Sequence, residues 1–490
     1  MSEQSRSNPE TEKKFSNKNT KILATLGPAA DTKEKIIELI QAGIDGVRLN
    51  FSHGGHEYYD QVFKNVNDAC VATSEPIAIL VDLQGPKIRV GELLLPEYEL
   101  KENDHLEITM HDIVGTKEKF SCSYEGLARD AKIGDHIYID DGLIKLLIIA
   151  IDHDSIFCVV LEGGTLKPRK GMNLPGMELS LPSLSEKDFE DLDFALSHRV
   201  DFIALSFVRK ASDIYQLRNY LTEKGFEKNI IAKIEKPEAV RNFDEILEAA
   251  DGIMIARGDL GVELPPQEVP VIQKSIIRKC NKAGKMVITA TQMLESMIHN
   301  AVPTRAETSD VANAVWDGSD VVMLSGETSV GEYAVETVDM MQKILIETEA
   351  NMDLVKYERK ETPKTSEDNV FDSVGKALAD MAVQLNAEAV VSFTRRGRMA
   401  RAMSRFRPNT KIIAMSDSFE VMNVLRLIWG IIPVYFEDMP DEQVAIKAAK
   451  KILLDKKIVK EGDTVIFTSG APVDEKGKDI WIRFAKARYY

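Results

Sequence analysis

Short apolar segments alternate with amphipathic ones eight times between residues 20 and 355, and this alternation strongly constrains the fold. The apolar segments predict strands; they read KILATLG, DGVRLNFS, PIAILVD, DFIALSF, IIAKIEK, DGIMIAR, KMVITAT and DVVMLSG. Their nearly continuous apolar character is typical of parallel strands that are covered on both faces. Alternating strands and helices predict an α/β protein with a (β/α)8 TIM barrel over residues 20–85 and 185–355. A doubly wound open sheet is the alternative that the pattern leaves open.

Capping-box patterns mark the first turn of two predicted helices. They are Asp31-x-x-Glu34, before KIIELIQAG, and Ser185-x-x-Asp188, before DFEDLDFALSHR. In each, the first side chain is expected to accept a backbone N–H of the helix, while the acidic side chain accepts the N–H of the first residue.

The alternation stops after the third strand, over residues 86–184. Here HLEITM, KFSCSY and HIYIDDGLIKLLIIAIDHDSIFCVVLE are β-branched or alternate, and Asp-Gly and Gly-Gly pairs interrupt the region. We therefore predict an inserted small β-barrel domain. Because the loops that follow barrel strands border the active site, an insertion here is expected to act as a lid.

Three further segments lie outside the predicted barrel. Residues 1–19 are polar and predict a disordered tail, and residues 356–369 predict a linker. Within residues 370–490, the segments AVVSF, KIIAMS, IIPVYF and TVIFTS alternate with amphipathic helices and predict a separate C-terminal α/β domain.

Composition excludes several classes of function. A formal net charge of −16 argues against nucleic-acid binding, and no apolar run approaches the ~20 residues of a membrane span. The four cysteines are far apart and form no CxxC motif, which argues against disulfide or zinc frameworks. The first residues lack the apolar core of a secretory signal. We therefore expect a cytoplasmic protein that binds neither nucleic acids nor membranes.

Polar residues occur at the ends of six predicted barrel strands, and many are spaced by two, so that each set faces one way. They are Arg48, Asn50, Ser52, Asp82, Lys233, Glu235, Arg257, Asp259, Thr291, Ser325 and Glu327. If the barrel closes, these side chains converge on the mouth where active sites of this fold lie.

The chemistry of this set suits phosphoryl transfer. Glu235 and Asp259 offer two hard oxygen ligands for Mg²⁺, which leaves its other positions to water and substrate. Arg48 and Lys233 offer positive charge to a phosphoryl group. The alternative for Lys233 and Glu235 is a buried salt bridge that only stabilises the barrel.

The stretch ARGDLGVELPPQEVP adds backbone groups to this site. Gly258 and Gly261 let the backbone approach a ligand, and Thr291 could contact a carboxylate-bearing substrate. The alternative is a plain turn. The sequence contains no GxxxxGK[ST] motif, so Arg89 and Lys170 are candidates for holding a nucleotide.

Several long motifs resemble those of the pyruvate kinase family. They are TKILATLGPA, RLNFSHG, KGMNLPG, SFVRKASD, KIEKPEAV, IMIARGDLGVE, ATQMLESM, PTRAETSDVANAV and MLSGET. The resemblance implies transfer of the phosphoryl group of phosphoenolpyruvate to ADP, which yields pyruvate and ATP. It also implies a homotetramer in which residues 370–490 serve regulation or oligomerisation.

The resemblance also implies roles for individual residues. Glu235 and Asp259 would hold Mg²⁺ or Mn²⁺, and Lys233 and Arg48 would bind the phosphoryl group. The implied carboxylate pocket consists of the backbone of Gly258 and Asp259 with Thr291. Thr291 and Ser325, with Glu327 nearby, would supply a proton to the enolate through water. Arg89 and Lys170 would reach the nucleotide phosphates.

Two departures from the family pattern are informative. Many relatives bind K⁺ through positions that match Asn50, Ser52, Asp82 and Leu83, but this chain has Leu83 and Lys87 where those relatives have threonine and glutamate. This combination resembles the branch that works without K⁺, since the Lys87 ammonium can replace the ion.

The second departure lies in the loop that binds an activating sugar phosphate in many relatives. Here it reads FTRRGRMAR: Thr394 and Gly397 match, while Arg396 and Met399 replace hydroxyl residues. Arg395, Arg396 and Arg398 could bind a phosphate or pair with acids at a subunit interface. No effector is predicted; fructose 1,6-bisphosphate is doubtful, and AMP or a sugar monophosphate is an alternative.

Other functions stay open on the residues alone. A metal-dependent lyase or aldolase could use the same carboxylates, and Lys233 could form a Schiff base with a carbonyl substrate. A binding or scaffold protein is a third class, although it would not need the whole set of residues at the mouth.

Overall fold

The computed structural model describes residues 18–177, 179–352, 366–437, 441–469 and 480–489. Most of the predicted tail (1–19) and of the linker (356–369) therefore lies outside the described residues; a helix already begins at Ser366. The chain divides into two compact units. One contains Thr20–Lys364 with Phe419–Trp429, and the other contains Met1–Asn19, Thr365–Ser418 and Gly430–Tyr490.

The secondary structure is given in chain order. The strands are β1 (Lys21–Thr25), β2 (Gly46–Asn50), β3 (Ala78–Asp82), β4 (Tyr98–Leu100), β5 (His105–Thr109), β6 (Lys119–Ser121), β7 (His136–Ile139), β8 (Ile144–Asp152), β9 (Ser155–Glu162), β10 (Gly164–Leu166), β11 (Met172–Asn173), β12 (Phe202–Leu205), β13 (Asn229–Ile234), β14 (Gly252–Ala256), β15 (Met286–Ala290), β16 (Val321–Leu324), β17 (Ala389–Phe393), β18 (Lys411–Ser416), β19 (Ile431–Tyr435), β20 (Thr464–Ser469) and β21 (Ile482–Lys486). The helices are α1 (Lys33–Ala42), α2 (His56–Thr73), α3 (Leu127–Asp130), α4 (Glu186–Leu196), α5 (Ala211–Glu223), α6 (Pro237–Arg241), α7 (Phe243–Ala249), α8 (Arg257–Glu263), α9 (Val269–Ala283), α10 (Arg305–Asp317), α11 (Gly326–Ser329), α12 (Ala334–Ala350), α13 (Ser366–Gln384), α14 (Arg398–Ser404), α15 (Phe419–Arg426) and α16 (Glu442–Asp455). None of the helices in the described ranges has both the length and the hydropathy of a membrane span.

The predicted barrel is confirmed. Eight strands form a closed parallel sheet in the order β1-β16-β15-β14-β13-β12-β3-β2. The pairing of β1 with both β2 and β16 closes the sheet and excludes the doubly wound alternative. A large apolar core fills the space between the strands and the surrounding helices.

Of the two predicted capping boxes, one is confirmed and one is wrong. Ser185 and Asp188 form the reciprocal box at the start of α4. At α1 the cap is Thr32, whose hydroxyl accepts the Lys35 N–H at 3.3 Å. Asp31 instead accepts a hydrogen bond from the Tyr58 hydroxyl at 2.9 Å.

The inserted region forms a six-stranded sheet in the order β11-β7-β8-β9-β5-β6, with a two-stranded sheet of β10 and β4. The segment from Arg89 onward connects the two edges of the larger sheet, because Arg89 bridges to Gly171 and Val90 bridges to Cys122. The sheet therefore curls around its own apolar core, in which Ile108 is fully buried.

Four aspartates repeat one contact at the amino-terminal end of the barrel. Each directly precedes a strand and binds a residue of the previous barrel strand with both its carboxylate and its backbone N–H. The carboxylate distances are 2.9 Å from Asp45 to Ile22 N, and 2.8 Å from Asp201 to Ile79 N, from Asp251 to Ile230 N and from Asp320 to Val287 N. The backbone N–H of each aspartate donates to the carbonyl of the same residue. Since the partners lie on alternate strands, the barrel repeats as four pairs of βα units.

The interior of the barrel is closed at this end by the segment Phe419–Trp429. Val424 and Leu427 from this segment join the interior apolar cluster, and Arg426 lies 3.3 Å from the carboxylate of Asp45. The sequence assigned these residues to the C-terminal domain 370–490, but the structure groups them with the barrel.

The other unit contains a five-stranded sheet in the order β19-β18-β17-β20-β21. Its four parallel strands are the four that the sequence predicts. The fifth strand, β21, pairs antiparallel with β20 and was not predicted.

Candidate active site

The inward-facing residues of the barrel strands change from apolar to polar toward the mouth. Alternate residues face the interior, so Leu80 precedes Asp82 on one strand and Ile231 precedes Lys233 on another. Leu23 is likewise followed by Thr25. The side chains that line the core therefore continue directly into those that line the site.

Lys233 lies at the centre of the site. Its ammonium is 2.8 Å from Glu235 Oε1, 3.2 Å from Asp82 Oδ1 and 2.7 Å from Ser206 Oγ. Burial opposes the charged form, but the carboxylates of Asp82 and Glu235 outweigh it and raise the pKa of Lys233. Lys233 is therefore held as an ammonium at neutral pH.

Arg48 lies on the other side of Asp82. Its Nη2 atom is 2.6 Å and its Nε atom 2.8 Å from Asp82 Oδ2, and Nη1 is 3.1 Å from Thr25 Oγ1. Burial would raise the pKa of Asp82, yet Lys233 and Arg48 together lower it. Asp82, which the family resemblance places in a monovalent-cation region, therefore binds both of the predicted phosphoryl-binding cations.

Glu235 and Asp259, the two carboxylates predicted to hold a divalent cation, are close enough to act on each other electrostatically. Glu235 Oε2 accepts the Phe207 N–H at 2.9 Å, and Oε1 faces Lys233. Burial raises the pKa of Glu235, Lys233 opposes this rise, and the nearby charge of Asp259 adds to it. A cation between the two carboxylates would relieve this repulsion. No group of three His, Cys, Asp or Glu side chains in the described ranges could hold a metal, so other ligands would come from substrate and water.

Thr291 and α8 are joined at the mouth. The Gly258 N–H donates to Thr291 Oγ1 at 2.8 Å, and this hydroxyl donates to the Ala290 carbonyl at 2.7 Å. Thr291 has φ +66°, a strained conformation for a β-branched residue. Arg257 is turned away to Asp310 at 2.7 Å. The predicted carboxylate-binding N–H of Gly258 is thus next to Thr291, as expected, but it is bonded to that hydroxyl.

The side chains of Ser325 and Glu327 differ in whether their oxygens are already hydrogen-bonded. Both carboxylate oxygens of Glu327 accept backbone N–H groups, from Leu294 at 3.1 Å and from Ser325 at 2.7 Å. In the described part of the chain, the buried Ser325 Oγ has no hydrogen-bond partner. Glu327 therefore fixes the backbone, while the hydroxyl of Ser325 is left for another group.

The predicted nucleotide residues lie on the inserted domain. Lys170 Nζ is 2.9 Å from Asp140 Oδ1, and Arg89 donates to the Arg169 carbonyl at 3.1 Å. Burial is the largest cause that lowers the pKa of His53, and the charges of Arg89, Lys87 and Arg48 lower it further. Arg89, Lys87 and Arg48 therefore all lie close enough to His53 to place positive charge on that side of the mouth.

The remaining predicted residues fall into two groups. Asn50 Oδ1 accepts the Ser52 N–H at 3.3 Å, so these two form a local turn. The loop after β17 belongs to the other unit, where Thr394 Oγ1 accepts the Gly397 N–H at 2.8 Å. In that loop, Arg395 and Arg396 are exposed, and Arg398 lies 5.8 Å from the ring centroid of Phe371.

Three residues of the site were missed. Thr25 ends β1 and Ser206 directly follows β12, so the rule that found Lys233 at the end of a predicted strand applies to both. Phe207, which supports Glu235 with its N–H, has φ +54° and carries no signal in the sequence.

The closed parallel barrel and the charged groups at its mouth define an enzyme of the (β/α)8-barrel class. Family models match the pyruvate kinase barrel domain at residues 17–338 and the pyruvate kinase alpha/beta domain at residues 372–480. The chain is 45% identical over 471 residues to a pyruvate kinase from Geobacillus stearothermophilus and 43% identical over 460 residues to one from Staphylococcus aureus; each match covers 94% of this chain and 78% of the relative. A crystal structure of a pyruvate kinase from Cryptosporidium parvum matches with a TM-score of 0.89 and 37% identity, over 96% of both chains. The chain belongs to the pyruvate kinase family.

Proposed function

We propose that the protein transfers the phosphoryl group of phosphoenolpyruvate to ADP, with Lys233 and Arg48 as the main cationic groups. The observation that carries this assignment is the cluster in which Asp82 binds both Lys233 and Arg48 while Glu235 binds Lys233. Fixed cations lower the barrier because negative charge is present on both sides of the transferring group. Family membership supports the same reaction.

Each residue of the cluster has a distinct proposed task. Arg48 binds the phosphate oxygens, and Lys233 faces both the phosphoryl group and the enolate oxygen left behind. Glu235 and Asp259 would hold Mg²⁺ or Mn²⁺, which supplies further positive charge to the phosphate and enolate oxygens when bound. A divalent-metal requirement is general in the family.

The carboxylate of the substrate is assigned to the start of α8. Thr291 and the backbone of Gly258 and Asp259 would bind it, and the Gly258 N–H would exchange its bond to Thr291 for one to substrate. Ser325 Oγ, buried and without a partner among the described residues, is the proposed end of a water-mediated proton path to the enolate carbon. Glu327 holds the Ser325 backbone in place for this step.

The nucleotide is assigned to the inserted domain. Arg89 and Lys170 would bind the phosphates of ADP, and the domain would act as a lid that keeps water from accepting the phosphoryl group. We further propose a cytoplasmic homotetramer; the loop from Thr394 to Arg398 is a phosphate-binding candidate without an assigned effector.

Lys233 is a poor candidate for the alternative aldolase chemistry. A Schiff base requires a neutral amine, but Asp82 and Glu235 hold this side chain as an ammonium. Borohydride treatment with pyruvate is therefore expected to leave Lys233 unmodified.

The test of the proposal is a lactate-dehydrogenase-coupled assay of the purified protein with phosphoenolpyruvate, ADP and Mg²⁺. Turnover should depend on both substrates and on the divalent cation. Substrate binding without turnover would instead favour a non-catalytic binding protein. Product release without ADP would point to a lyase or hydrolase.

We also propose that K⁺ is not required, because the Lys87 ammonium replaces the ion. In the described part of the chain Lys87 has no ion-pair partner, and its charge acts on His53 beside the mouth. Turnover in K⁺-free buffer, with tetramethylammonium holding the ionic strength, should change less than about twofold when K⁺ is added. Strong activation by K⁺ would contradict this assignment.

A further inference from the structure

Lys236 and Glu263 form a buried ion pair that the roles assigned above do not use. The Nζ and Oε1 atoms are 2.5 Å apart, and the side chains are only 12% and 1% exposed. Lys236 directly follows Glu235, and Glu263 is the last residue of α8, near whose start Asp259 lies. The pair therefore connects the two segments that carry the candidate metal carboxylates.

Lys236 is also fixed on the side of Glu235. Its ammonium lies 5.7 Å from the centroid of the Phe207 ring, a cation–π contact. The backbone N–H of Phe207 donates to Glu235 Oε2 at 2.9 Å. Movement of the ammonium would therefore disturb both α8 and the residue that supports Glu235.

The inserted domain contacts the same end of α8. Asn173, on β11, donates from Nδ2 to Glu263 Oε1 at 3.1 Å. The turn after β7 lies nearby, since a Cβ atom on Gly142 would be 3.9 Å from Val262 Cγ1. A cavity of about 40 Å³ between the inserted domain and the barrel is lined by Lys87, Asp141, Asn173, Phe207, Lys236 and Asp259, among others. The last turn of α8 is thus a surface on which the inserted domain rests.

We propose that Glu263 is a positioning residue that couples closure of the inserted domain to the geometry of the metal site. One carboxylate oxygen is shared between an ammonium of the barrel and an amide of the inserted domain. When the inserted domain rests on α8, the Asn173 bond to Glu263 fixes α8 and thereby fixes Asp259 relative to Glu235. The inference rests on the proposed function, because it takes Glu235 and Asp259 as the metal ligands.

Glu263 can accept further hydrogen bonds, and this fits the proposed positioning role. Its Oε2 atom is buried and has no hydrogen-bond partner within the described ranges. A carboxylate can accept several hydrogen bonds, so Glu263 can gain or lose the Asn173 amide while keeping Lys236. Groups that orient metal ligands in this way typically change metal affinity by ~10–100-fold when removed.

The first test is Mn²⁺ binding without substrates, measured by the electron paramagnetic resonance signal of the free ion. The variant Lys236→Met with Glu263→Gln removes both charges, which avoids leaving one buried charge unpaired. Its Kd for Mn²⁺ should rise about tenfold or more. The matched control is Lys145→Met with Glu162→Gln, which removes an exposed pair 2.9 Å apart in the inserted domain and should leave the Kd unchanged.

The outcomes separate the inference from the proposed function. A Kd for the double variant within about twofold of the unaltered protein would overturn the inference alone. If the unaltered protein bound no Mn²⁺, the assigned metal ligands would fail, and the inference would fail with them.

The second test isolates the contribution of the inserted domain. Asn173→Ala leaves the Lys236–Glu263 pair intact, so the Kd for Mn²⁺ without substrates should not change. Hydrogen exchange of the α8 amides is then measured with phosphoenolpyruvate, ADP and Mn²⁺ bound. In the Asn173→Ala variant these ligands should protect the α8 amides several-fold less than they do in the unaltered protein. Thr165→Ala, which removes an exposed 3.2 Å contact to Glu99, serves as the control. Equal protection of α8 in the Asn173→Ala variant and the unaltered protein would overturn the coupling.

Discussion

The two ends of the barrel bury carboxylates for different purposes. At the amino-terminal end, buried aspartates such as Asp45 and Asp201 accept the N–H of a neighbouring strand. At the mouth, Asp82 binds the cations Lys233 and Arg48, and Glu235 binds Lys233 with one oxygen and the Phe207 N–H with the other. A carboxylate that accepts the N–H of a neighbouring strand fixes the strands even where an arginine lies nearby, whereas one that binds cations at the mouth fixes charges that can act on a substrate. The comparison shows that the partner of a buried carboxylate, rather than its burial, indicates its role.

One buried aspartate at each end shows a pKa shift, and the two shifts have opposite directions. Burial raises the pKa of Asp201 to about 6. Arg199, whose Nη1 atom lies 3.7 Å from Asp201 Oδ2, opposes this rise. Asp82 is equally buried, but Lys233 and Arg48 lower its pKa. At neutral pH, ionised Asp201 therefore costs stability, while ionised Asp82 contributes stability that is lost only when the pH falls below the ordinary value of an aspartate.

The largest expected effect is at the mouth, from Lys233→Met. In the proposed reaction the ammonium faces the transferring group, and removing one preorganised donor alone costs ~10²–10³ in kcat. We expect kcat to fall by at least ~10³-fold, which corresponds to about 4 kcal/mol in the barrier. The coupled assay measures this loss, and circular dichroism checks the fold. Lys145→Met, which breaks an exposed pair, is the control. Activity within tenfold of the unaltered protein would remove Lys233 from its assigned role.

The next effect is a pH dependence of stability at the opposite end, seen by comparing the unaltered protein with Asp201→Asn. The raised pKa means that the folded state holds the Asp201 proton up to about pH 6, while the unfolded state loses it near 3.8. Stability contributed by protonated Asp201 is therefore present at pH 4 and lost as the pH rises through 6. A shift of about two units corresponds to ~3 kcal/mol.

Urea unfolding at several pH values between 4 and 7 checks this expectation. The asparagine keeps an oxygen for the Ile79 N–H but never ionises, so its stability relative to the unaltered protein should increase over this range. For Asp82→Asn, the same difference should stay constant, because the lowered pKa of Asp82 places its transition below this range. If the stability difference for Asp201→Asn were also constant over this range, the opposite pKa shifts of Asp201 and Asp82 would be contradicted.

Much of the barrel and its mouth was predictable because chain geometry acts locally. Alternation of side chains along a strand placed Lys233 and Glu235 on one side, and the parallel barrel brought strand ends together. Ser206 could have been found by the same rule. The capping hydroxyl of Thr32 was overlooked because Asp31 beside it offers an equally good capping side chain.

Other contacts were not predictable because they join segments that are far apart in the chain. Asp82 bonds to Lys233, which lies two strands away in the barrel but far along the chain, and nothing near Asp82 in the sequence indicates that partner. The same holds for Asn173 and Glu263, which meet only once the inserted domain has folded back over α8. Phe419–Trp429 closes the barrel although it follows a strand of the other unit in the chain. Sequence patterns predict which side chains share one face of a helix or strand. They do not predict which faces of segments far apart in the chain contact each other.

The smallest expected effect tests whether the amino-terminal aspartates serve only the fold. Asp251 accepts the Ile230 N–H at 2.8 Å and is 38% exposed, so Asp251→Ala should cost about 1–2 kcal/mol of unfolding free energy. Hydrogen exchange of the Ile230 amide should accelerate, while kcat and the KM values for both substrates should stay within twofold of the unaltered protein, about 0.4 kcal/mol. Asp193→Ala removes a surface partner of Lys224 at 2.8 Å and should cost about 0.5 kcal/mol or less. The contradicting outcome is an Asp251→Ala variant that is as stable as Asp193→Ala but has a KM changed several-fold. A carboxylate far from the mouth would then act on the substrate rather than on the strands, and the division of roles between the two ends would be wrong.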